Sequence, residues 1–356
     1  MPAPLQVGVI GCGHAAVELH LPALKTISGV TLAAVADLDA NRLAGVADRF
    51  QVPRRYHDPH ELIADRELSV VAVLTPPQSH HGLVVQCLEA GKHILVEKPV
   101  TLDDTEAADL VQRAASSNVK VCVGHSMRFH PHVQRAKQIL TSAALGAIES
   151  IQCRWISAWR NDHDPPEWRR NPVTGGSTLL ETAVHHFDLW RYLSGGEVAN
   201  LVTSPHGDAT CDEHAVVTAT LDGGVIATSF TSTRGVEENA LEIYGSTAKL
   251  ALSFYCFDGV RLVPRGVFSG SLGDRLRGIS QSVRMLPGVL DIRYGGTFRR
   301  AYREEWLHFI ACIERDTPVS CTLAEGRHAL QIALAARQSA RDGTRVRPAD
   351  LLPCHL

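Results

Sequence analysis

A glutamate, a lysine and a proline stand together after an apolar run, in the segment GKHILVEKPV of residues 91–100. Residues 94–96 have the composition of a buried strand. Two opposite charges at the end of such a strand do not suit an apolar core and therefore need another explanation. Lys98 could polarise a substrate oxygen and stabilise a developing alkoxide. Glu97 could hold the strand end by hydrogen bonds, and Pro99 could fix the turn, with a cis bond as one means. The alternative is a structural ion pair.

A histidine with carboxylates at helical spacing follows later, in GGSTLLETAVHHFDLWRYL. Ser177 or Thr178 can cap a helix that begins after the Gly-Gly turn. Glu181, His185 and Asp188 are four and three residues apart, which predicts that they share one helix face. A carboxylate one turn away can orient the imidazole to exchange a proton with a substrate hydroxyl. The alternative is a solvated Glu–His pair.

The first strand of the chain is followed by a glycine-rich turn, GCGHAA. Gly11, Gly13 and Ala16 match the pattern G-x-G-x-x-G/A, which cradles a dinucleotide pyrophosphate at a helix N-terminus. We expect Gly11 to allow the tight turn and Gly13 to leave room for the pyrophosphate. His14 and Ala15, inside the turn, are predicted cofactor contacts as well.

Two further strand ends carry candidate cofactor contacts. Asp37 ends the segment LAAVAD, where a carboxylate can bind the adenine ribose and repel a 2′-phosphate. With Leu38 after it, NAD is favoured over NADP; the alternative is that Asp37 only starts a turn. Thr75, Pro76 and His80, in LTPPQSHH, are expected to line the cofactor, although His80 could instead cap the next helix.

The elements that would position these residues change in type along the chain. Strand-like and helix-like segments alternate over residues 1–125, which predicts a parallel sheet covered on both faces. Residues 126–356 contain consecutive strand-like segments with little helix between them, which predicts an open, mainly antiparallel sheet. The fold class is therefore α/β, with a Rossmann domain and a C-terminal α+β domain for substrate binding and oligomerisation. The predicted strands of the second domain are 148–160, 198–204, 214–221, 224–233 and 240–254.

Composition excludes several classes of protein. A net charge of −3 over 356 residues, without a long basic run, argues against a nucleic-acid partner. Nine scattered cysteines without a Cys-x-x-Cys pair argue against a disulfide scaffold, and no apolar stretch reaches the length of about 18 residues that spans a membrane. A cytoplasmic enzyme is the expectation. A metal site made from Glu181, His185 and His163 lacks any supporting ligand spacing.

The segment WISAWRNDHDPPEWRRNP is rich in tryptophan and arginine. Aromatic faces and guanidinium groups suit a polyhydroxylated or acidic sugar, and they equally suit a charged sheet rim. Trp168 and Arg169 are the residues that we expect nearest the substrate.

Together the segments GCGHAA, VADLDANRLAGVADRF, TPPQSHHGLVVQCLEAGKHILVEKP and GGSTLLETAVHHFDLWRYL resemble the glucose–fructose oxidoreductase/inositol dehydrogenase (Gfo/Idh/MocA) family. The resemblance covers nearly the whole chain. It implies NAD(P)-dependent oxidation or reduction of a sugar, polyol or related hydroxyl compound, and a homodimer or homotetramer formed through the open sheet.

Residue by residue, Lys98 matches the family lysine that contacts the reacting oxygen, and His185 matches the proton-transferring histidine. Arg128 is retained in VGHSMRFHP and is a predicted substrate contact. Glu181 stands where the family usually has aspartate, so substrate positioning could differ here. Residues 258–300 have no family match; Leu272 to Leu286 could form an amphipathic helix that acts as a lid or an oligomer contact, or a surface loop.

Three functions remain open at this point. The leading one is a dehydrogenase acting on a secondary hydroxyl of a sugar, an inositol or a sugar derivative. The second is NAD-dependent cleavage of a glycoside through transient oxidation, and the third is a dinucleotide sensor without catalysis. The presence of both Lys98 and His185 counts against the sensor.

Overall fold

The protein is described here from a computed structural model that covers residues 4–158, 167–171, 174–206, 213–268 and 270–351. Within these ranges the chain divides into two compact units. Unit 1 contains residues 4–126 and 302–330, and unit 2 contains the described residues of 127–301 and 331–351. Among the described helices, none combines the length and the hydropathy needed to cross a bilayer.

Unit 1 is built on six parallel strands in the order β3-β2-β1-β4-β5-β6. This order, in which the chain returns to the centre after its third strand, is that of a Rossmann fold. Side chains of the central strands, such as Val71 and Leu95, are fully buried because helices cover both faces. The strands are β1 (Leu5–Ile10), β2 (Val30–Ala36), β3 (Arg54–Tyr56), β4 (Val70–Val73), β5 (His93–Glu97) and β6 (Val121–Gly124).

Aspartates start the helices that follow several of these strands. The side chains of Asp39, Asp58 and Asp103 each accept hydrogen bonds from backbone N–H groups of the first helical turn, which would otherwise lack partners. The helices are α1 (Leu21–Leu24, preceded by a π-helical turn at Ala16–His20), α2 (Ala40–Phe50), α3 (Pro59–Ala64), α4 (His80–Glu89) and α5 (Asp104–Ala115). The short β3 and α3 have no counterpart in the sequence prediction.

Unit 2 is built on seven strands in the order β13-β12-β11-β7-β10-β9-β8, all antiparallel except the β7–β10 pair. Along β9 one face is buried, at Ala215 and Val217, and the other is exposed, at Val216 and Thr218. The strands are β7 (Ile148–Ile156), β8 (Val198–His206), β9 (His214–Leu221), β10 (Ile226–Ser232), β11 (Glu238–Gly245), β12 (Ala248–Ser253) and β13 (Val260–Pro264).

The predicted fold class is confirmed, with two local corrections. The single strand predicted over 240–254 is in fact the hairpin β11–β12, because residues 246 and 247 form its turn. The atypical segment 258–300 contributes β13 to the edge of the sheet, which the sequence did not indicate. The helices of unit 2 are α6 (Pro131–Thr141), α7 (Glu167–Arg170), α8 (Val184–Ser194) and α9 (Leu272–Met285).

Two long helices close the chain, α10 (Thr297–Glu314) and α11 (Leu323–Asp342), joined by a loop that contains Pro318. The division between the two units falls within each of these helices, after Ala301 and after Leu330. At the start of α11, Gly326 is required because a Cβ atom would come within 2.8 Å of the Val123 side chain.

Candidate active site

The turn after β1 has the geometry that a pyrophosphate needs. Gly11 has a positive φ of +96°, and a Cβ atom there would lie 2.9 Å from the backbone carbonyl of Leu74, so only glycine fits. At Gly13 a Cβ atom would meet nothing within 4 Å, which leaves open space beside the turn. His14 is exposed and Ala15 is half-buried at the edge of this space. The turn therefore fits the dinucleotide that the sequence predicts.

Asp37 is held at the end of β2 by the backbone of two neighbouring segments. Its Oδ2 accepts a hydrogen bond from the Cys12 N–H at 2.8 Å, and its Oδ1 accepts one from the Asp39 N–H at 2.9 Å. It is 9% exposed, whereas Leu38 beside it is 74% exposed. Asp37 thus shapes the turn and also presents a carboxylate at its edge, so both sequence interpretations are compatible with its contacts.

Sequence reasoning missed Arg42, whose Nη1 lies 3.4 Å from Asp37 Oδ1. The guanidinium is about half exposed. An arginine near this position is what NADP enzymes use to bind the 2′-phosphate. The signal was present in the sequence, as an arginine in the first turn of the helix that follows the acid.

The loop after β4 is tied to the Glu-Lys-Pro turn by His80. The ring of His80 is fully buried, with Nε2 2.8 Å from the Thr75 carbonyl and Nδ1 3.0 Å from the Pro99 carbonyl. Burial lowers the pKa of this imidazole, although both carbonyl contacts oppose that effect. Thr75 and Pro76 are half-buried. His80 therefore joins two loops rather than capping α4, whose N-cap is Ser79.

Glu97 and Lys98 lie where the sequence places them, at the carboxyl end of β5. Glu97 is 8% exposed, and its Oε2 accepts a hydrogen bond from the Lys98 N–H at 3.0 Å. Lys98 is half-buried, and the Lys98–Pro99 peptide bond is cis. Burial raises the pKa of Glu97, but the hydrogen bond from His20 and the charge of Lys98 outweigh it, so that pKa lies below its ordinary value.

The second carboxylate oxygen of Glu97 binds a histidine that sequence reasoning missed. His20 Nε2 lies 2.9 Å from Glu97 Oε1, and the His20 ring is fully buried. The indole N–H of Trp306 is 3.1 Å from His20 Nδ1. Because an indole nitrogen can only donate, Nδ1 accepts and the proton resides on Nε2, which donates to Glu97. His20 is therefore neutral, and Glu97 keeps its negative charge next to Lys98.

Nothing in the sequence around His20 or Trp306 indicates this chain of hydrogen bonds, because the two residues are 286 positions apart. The edge of the Tyr302 ring also packs on His20, with ring centroids 5.0 Å apart. Burial, followed by the charge of Glu97, raises the pKa of the Tyr302 hydroxyl far above its ordinary value.

In unit 2 the three predicted helix residues contact three different groups. Glu181 Oε2 lies 3.3 Å from Arg169 Nε, and the His185 ring stacks on Trp155 with centroids 5.4 Å apart. The Asp188 carboxylate is turned into the interior, where it is fully buried. An arginine binds that carboxylate, and the orientation of His185 by a carboxylate one turn away stays a prediction.

That arginine is Arg128, which is 2% exposed. Its Nε and Nη2 donate to the Asp188 carboxylate at 2.8 Å and 2.6 Å. The guanidinium also lies over the Tyr192 ring, 5.0 Å from its centroid. The geometry is that of a bidentate buried ion pair, which fixes the start of unit 2 to α8. The predicted role of Arg128 in binding substrate stays a prediction.

The helix that carries His185 begins with a π-helical turn, Leu179–Ala183. The Ser177 hydroxyl oxygen accepts a hydrogen bond from the Leu179 N–H at 3.2 Å, whereas the N-cap residue is Thr178, whose side chain makes no capping hydrogen bond. The helix after the glycine turn of unit 1 also starts with a π turn, at Ala16–His20. Single π turns are frequent at functional sites, and neither of these was foreseen from the sequence.

His186, next to His185, serves to anchor α8 to the sheet. It is 3% exposed, and its Nδ1 lies 2.6 Å from the Ser229 hydroxyl on β10. Burial lowers the pKa of His186 to about 3, so the ring is neutral at physiological pH. Trp155 lies near both histidines, stacked on His185 at 5.4 Å and tilted against His186 at 6.4 Å between ring centroids.

Trp168 and Arg169 form a cation–π pair, with the guanidinium carbon 5.1 Å from the ring centroid. Because Arg169 also contacts Glu181, these two predicted substrate residues are brought next to the predicted positioning carboxylate. His163, the third member of the alternative metal site, lies outside the described residues, as does much of the segment around it.

Comparison with known proteins identifies the class. Residues 5–125 match the Gfo/Idh/MocA oxidoreductase family model described as an NAD-binding Rossmann fold, and residues 133–251 match the C-terminal domain model of the same family. The chain belongs to the Gfo/Idh/MocA family, as its motifs predicted. It is thus an oxidoreductase-family protein whose N-terminal part is an NAD-binding Rossmann domain.

Relatives match from about three quarters to nearly all of the chain. A myo-inositol 2-dehydrogenase of Thermotoga maritima is 27% identical over 344 residues, covering 94% of this chain and 96% of the relative. Oxidoreductase P35 of Formosa agariphila is 30% identical over 267 residues, 72% of this chain and 81% of the relative. A levoglucosan dehydrogenase structure with NADH has a similar fold, with a TM-score of 0.81 at 21% identity over 97% of this chain and 99% of that one.

Proposed function

We propose that this protein transfers hydride between NAD and a secondary hydroxyl of a sugar, an inositol or a sugar derivative. The observation that carries the proposal is the Glu97–Lys98 turn, in which a buried carboxylate held by His20 lies beside Lys98. Lys98 matches the lysine of the family, and one relative in that family is a myo-inositol 2-dehydrogenase. Bound NAD would supply the nicotinamide that accepts or returns the hydride.

The cofactor would be held by the glycine turn and the strand ends of unit 1. Gly11 and Gly13 leave the space for the pyrophosphate, and Asp37 would accept hydrogen bonds from the adenine ribose. Thr75 and Pro76 would border the same dinucleotide. The exposed positions His14 and Leu38 are expected at its rim.

Lys98 would act on the oxygen of the reacting hydroxyl. Its ammonium group stabilises the negative charge that develops on that oxygen as the proton leaves, which lowers the barrier in a water-poor site. The charge of Lys98 helps to lower the pKa of the neighbouring Glu97, so a negative carboxylate lies beside the ammonium group. Glu97 itself is a positioning residue, since both of its oxygens bind protein groups.

His185 would take the proton from the hydroxyl during oxidation and return it during reduction. Its stacking on Trp155 fixes the plane of the imidazole, so that the ring is positioned before the substrate binds. Glu181, braced by Arg169, would accept hydrogen bonds from neighbouring hydroxyls of the substrate. Trp168 and Arg128 are further candidate substrate contacts, and unit 2 would supply substrate binding and oligomer contacts.

The proposal is tested by NADH formation with a panel of inositols, hexoses, uronates and glycosides. Lys98→Ala is the test variant, and Lys25→Ala, at an exposed position of unit 1, is the matched control. NADH formation that Lys98→Ala abolishes and Lys25→Ala leaves unchanged would support a dehydrogenase. Glycoside cleavage without net NADH would point to transient oxidation, and NAD binding without any turnover would point to a sensor.

A further inference from the structure

Helix α9, in the segment without a family match, carries a row of large apolar side chains that are exposed. Leu272 is 74% exposed, Leu276 58%, Ile279 62% and Val283 57%. Single exposed leucines are ordinary, whereas a contiguous apolar stripe along one helix marks a surface that binds something. These four residues are called the α9 stripe.

The opposite side of the same helix is already fixed to unit 2. The side-chain amide of Gln281 accepts from the Leu262 N–H at 3.2 Å and donates to the Leu262 carbonyl at 3.0 Å. Asp274 pairs with Arg261 at 2.5 Å, and the Ser282 hydroxyl donates to Asp258 at 2.8 Å. The polar side thus attaches the helix to β13 and its loop, and this attachment leaves the α9 stripe on the exposed side.

The spacing within the α9 stripe is that of a helix seam. Its members are separated by four, three and four residues, which is the alternation of apolar positions that pack one helix against another. The exposed apolar surface continues through the following 3₁₀ turns, at Leu286, Val289 and Leu290. A helix that packed only against the edge of the sheet would not need a row of apolar residues on its exposed side.

The four–three–four spacing reads the same in both directions along the helix. If two copies pack antiparallel about a two-fold axis, Leu272 of one faces Val283 of the other, and Leu276 faces Ile279. Each apolar residue then meets an apolar residue, as a self-complementary isologous contact requires. A single patch on one chain is sufficient to build both sides of the interface.

Residues next to the stripe favour such a close self-contact. Gly273 and Ser280 are small, so two helix backbones can approach each other. Arg275 is the charged residue at the flank, and in the antiparallel pair it faces Ser280 of the other copy. The two guanidinium groups are therefore not placed directly opposite each other.

We propose that the α9 stripe binds the α9 stripe of a second copy of this chain in an antiparallel helix pair. A helix of 14 residues is about 21 Å long. The pair alone is therefore small beside specific interfaces, which bury about 1,200–2,000 Å² in total. Association through this helix pair depends on protein concentration. The same helix pair can join copies that are already paired through another surface.

The first test measures molar mass by light scattering over a range of protein concentrations. Ile279→Glu places a charge at the centre of the seam, and Val236→Glu makes the same change at a position of unit 2 that is 91% exposed and away from the stripe. We expect the Ile279→Glu protein to have half the mass of the wild type at high concentration, and the Val236→Glu protein to match the wild type. Thermal unfolding should show both variants folded, since neither replaces a buried side chain.

The second test reports the partner and the orientation. In a Cys256→Ser background, the double variant Leu276→Cys/Ile279→Cys should form a disulfide-linked dimer under mild oxidation, whereas Val236→Cys should not. Equal masses for the wild type and Ile279→Glu, or no crosslink from the cysteine pair, would overturn the proposal. If the wild type and Ile279→Glu have equal masses and the wild type co-sediments with phosphatidylserine vesicles, the stripe is assigned to a lipid surface instead.

Discussion

His20 Nε2 lies 2.9 Å from Glu97 Oε1, and this hydrogen bond joins the first helix of unit 1 to the residue before Lys98. Trp306 fixes the direction of the bond by donating its indole N–H to the other ring nitrogen of His20. The result is a buried carboxylate that remains charged beside a neutral imidazole.

His20→Ala is expected to lower the free energy of unfolding, because it leaves a buried carboxylate oxygen and an indole N–H without their partner. The cost of such unsatisfied groups is about 1–3 kcal/mol each.

Trp306→Phe removes the indole N–H but keeps the His20–Glu97 bond, so its kcat/KM should fall less than that of His20→Ala. Urea unfolding and steady-state kinetics measure the two effects; an equal loss of kcat/KM in both variants would contradict the positioning role of His20.

Asp37→Ala is expected to weaken NAD binding by roughly 10- to 100-fold, the value of about 1.5–3 kcal/mol for hydrogen bonds to a charged group. Binding of NADP should change less or improve, because the repulsion of a 2′-phosphate is removed while Arg42 stays. Titration calorimetry with both cofactors gives the ratio of the two Kd values.

Asp58→Ala is the control for that experiment. Asp58 is exposed and caps α3 as an aspartate of the same kind, so its loss should lower stability by about 1 kcal/mol without changing the ratio of NAD to NADP affinity. If Asp58→Ala changes that ratio as much as Asp37→Ala does, the selectivity does not come from the Asp37 carboxylate.

Asp188→Asn should be among the most destabilising single changes in unit 2. Arg128 and Asp188 are both almost fully buried, and removal of one charge leaves the other in the interior, which costs about 3–5 kcal/mol. The exposed pair Asp109–Arg113, with a similar separation of 2.7 Å, provides the comparison. Asp109→Asn should cost far less, because water solvates the charge that remains on Arg113. Urea unfolding of both variants tests the difference, and similar losses would refute the assignment of Arg128–Asp188 as a buried pair that stabilises unit 2.

His186 should make the protein less stable in acid. Its pKa is about 3 in the folded protein and near the ordinary 6.5 when unfolded, so between these values the unfolded state binds more protons. The free energy of unfolding is therefore unaffected by this group above pH 6.5, and it falls by about 1.4 kcal/mol per pH unit as the pH drops below that value.

The variant His186→Asn keeps a polar group near Ser229 but cannot titrate. Its unfolding free energy should depend less on pH between about 6 and 4 than that of the wild type, by the slope of one histidine. Other buried histidines with lowered pKa, such as His130 and His132, remain in both proteins and cancel in the comparison. Identical slopes would show that His186 is not the titrating group.

Local patterns were sufficient to predict most of the architecture. Alternating strands and helices indicated the parallel sheet, and Gly11 was assigned correctly because a turn with positive φ leaves a signature in a few adjacent residues. Glu97 and Lys98 were located at the end of β5 for the same reason: the apolar run before them defines the strand. The short strand β3 lacked such a run, and its sequence Arg-Arg-Tyr does not resemble a buried strand.

The partners of the site residues could not be predicted in this way. Trp306 reaches His20, and Arg128 reaches Asp188, across 286 and 60 positions of the chain. Helical spacing places Asp188 near His185, but it does not indicate the buried guanidinium of Arg128 that forms a bidentate contact with the carboxylate. Spacing along one helix therefore predicted which side chains could meet, and tertiary packing determined which of them did.

The π turns at Ala16–His20 and Leu179–Ala183 have a consequence for comparing this chain with its relatives. Each is equivalent to one extra residue wound into a helix. Deletion of that residue would restore a regular α-helix and rotate the side chains before it by about 100° relative to those after it. A one-residue gap in either stretch of an alignment therefore signals a reoriented helix surface, even where every neighbouring residue is identical.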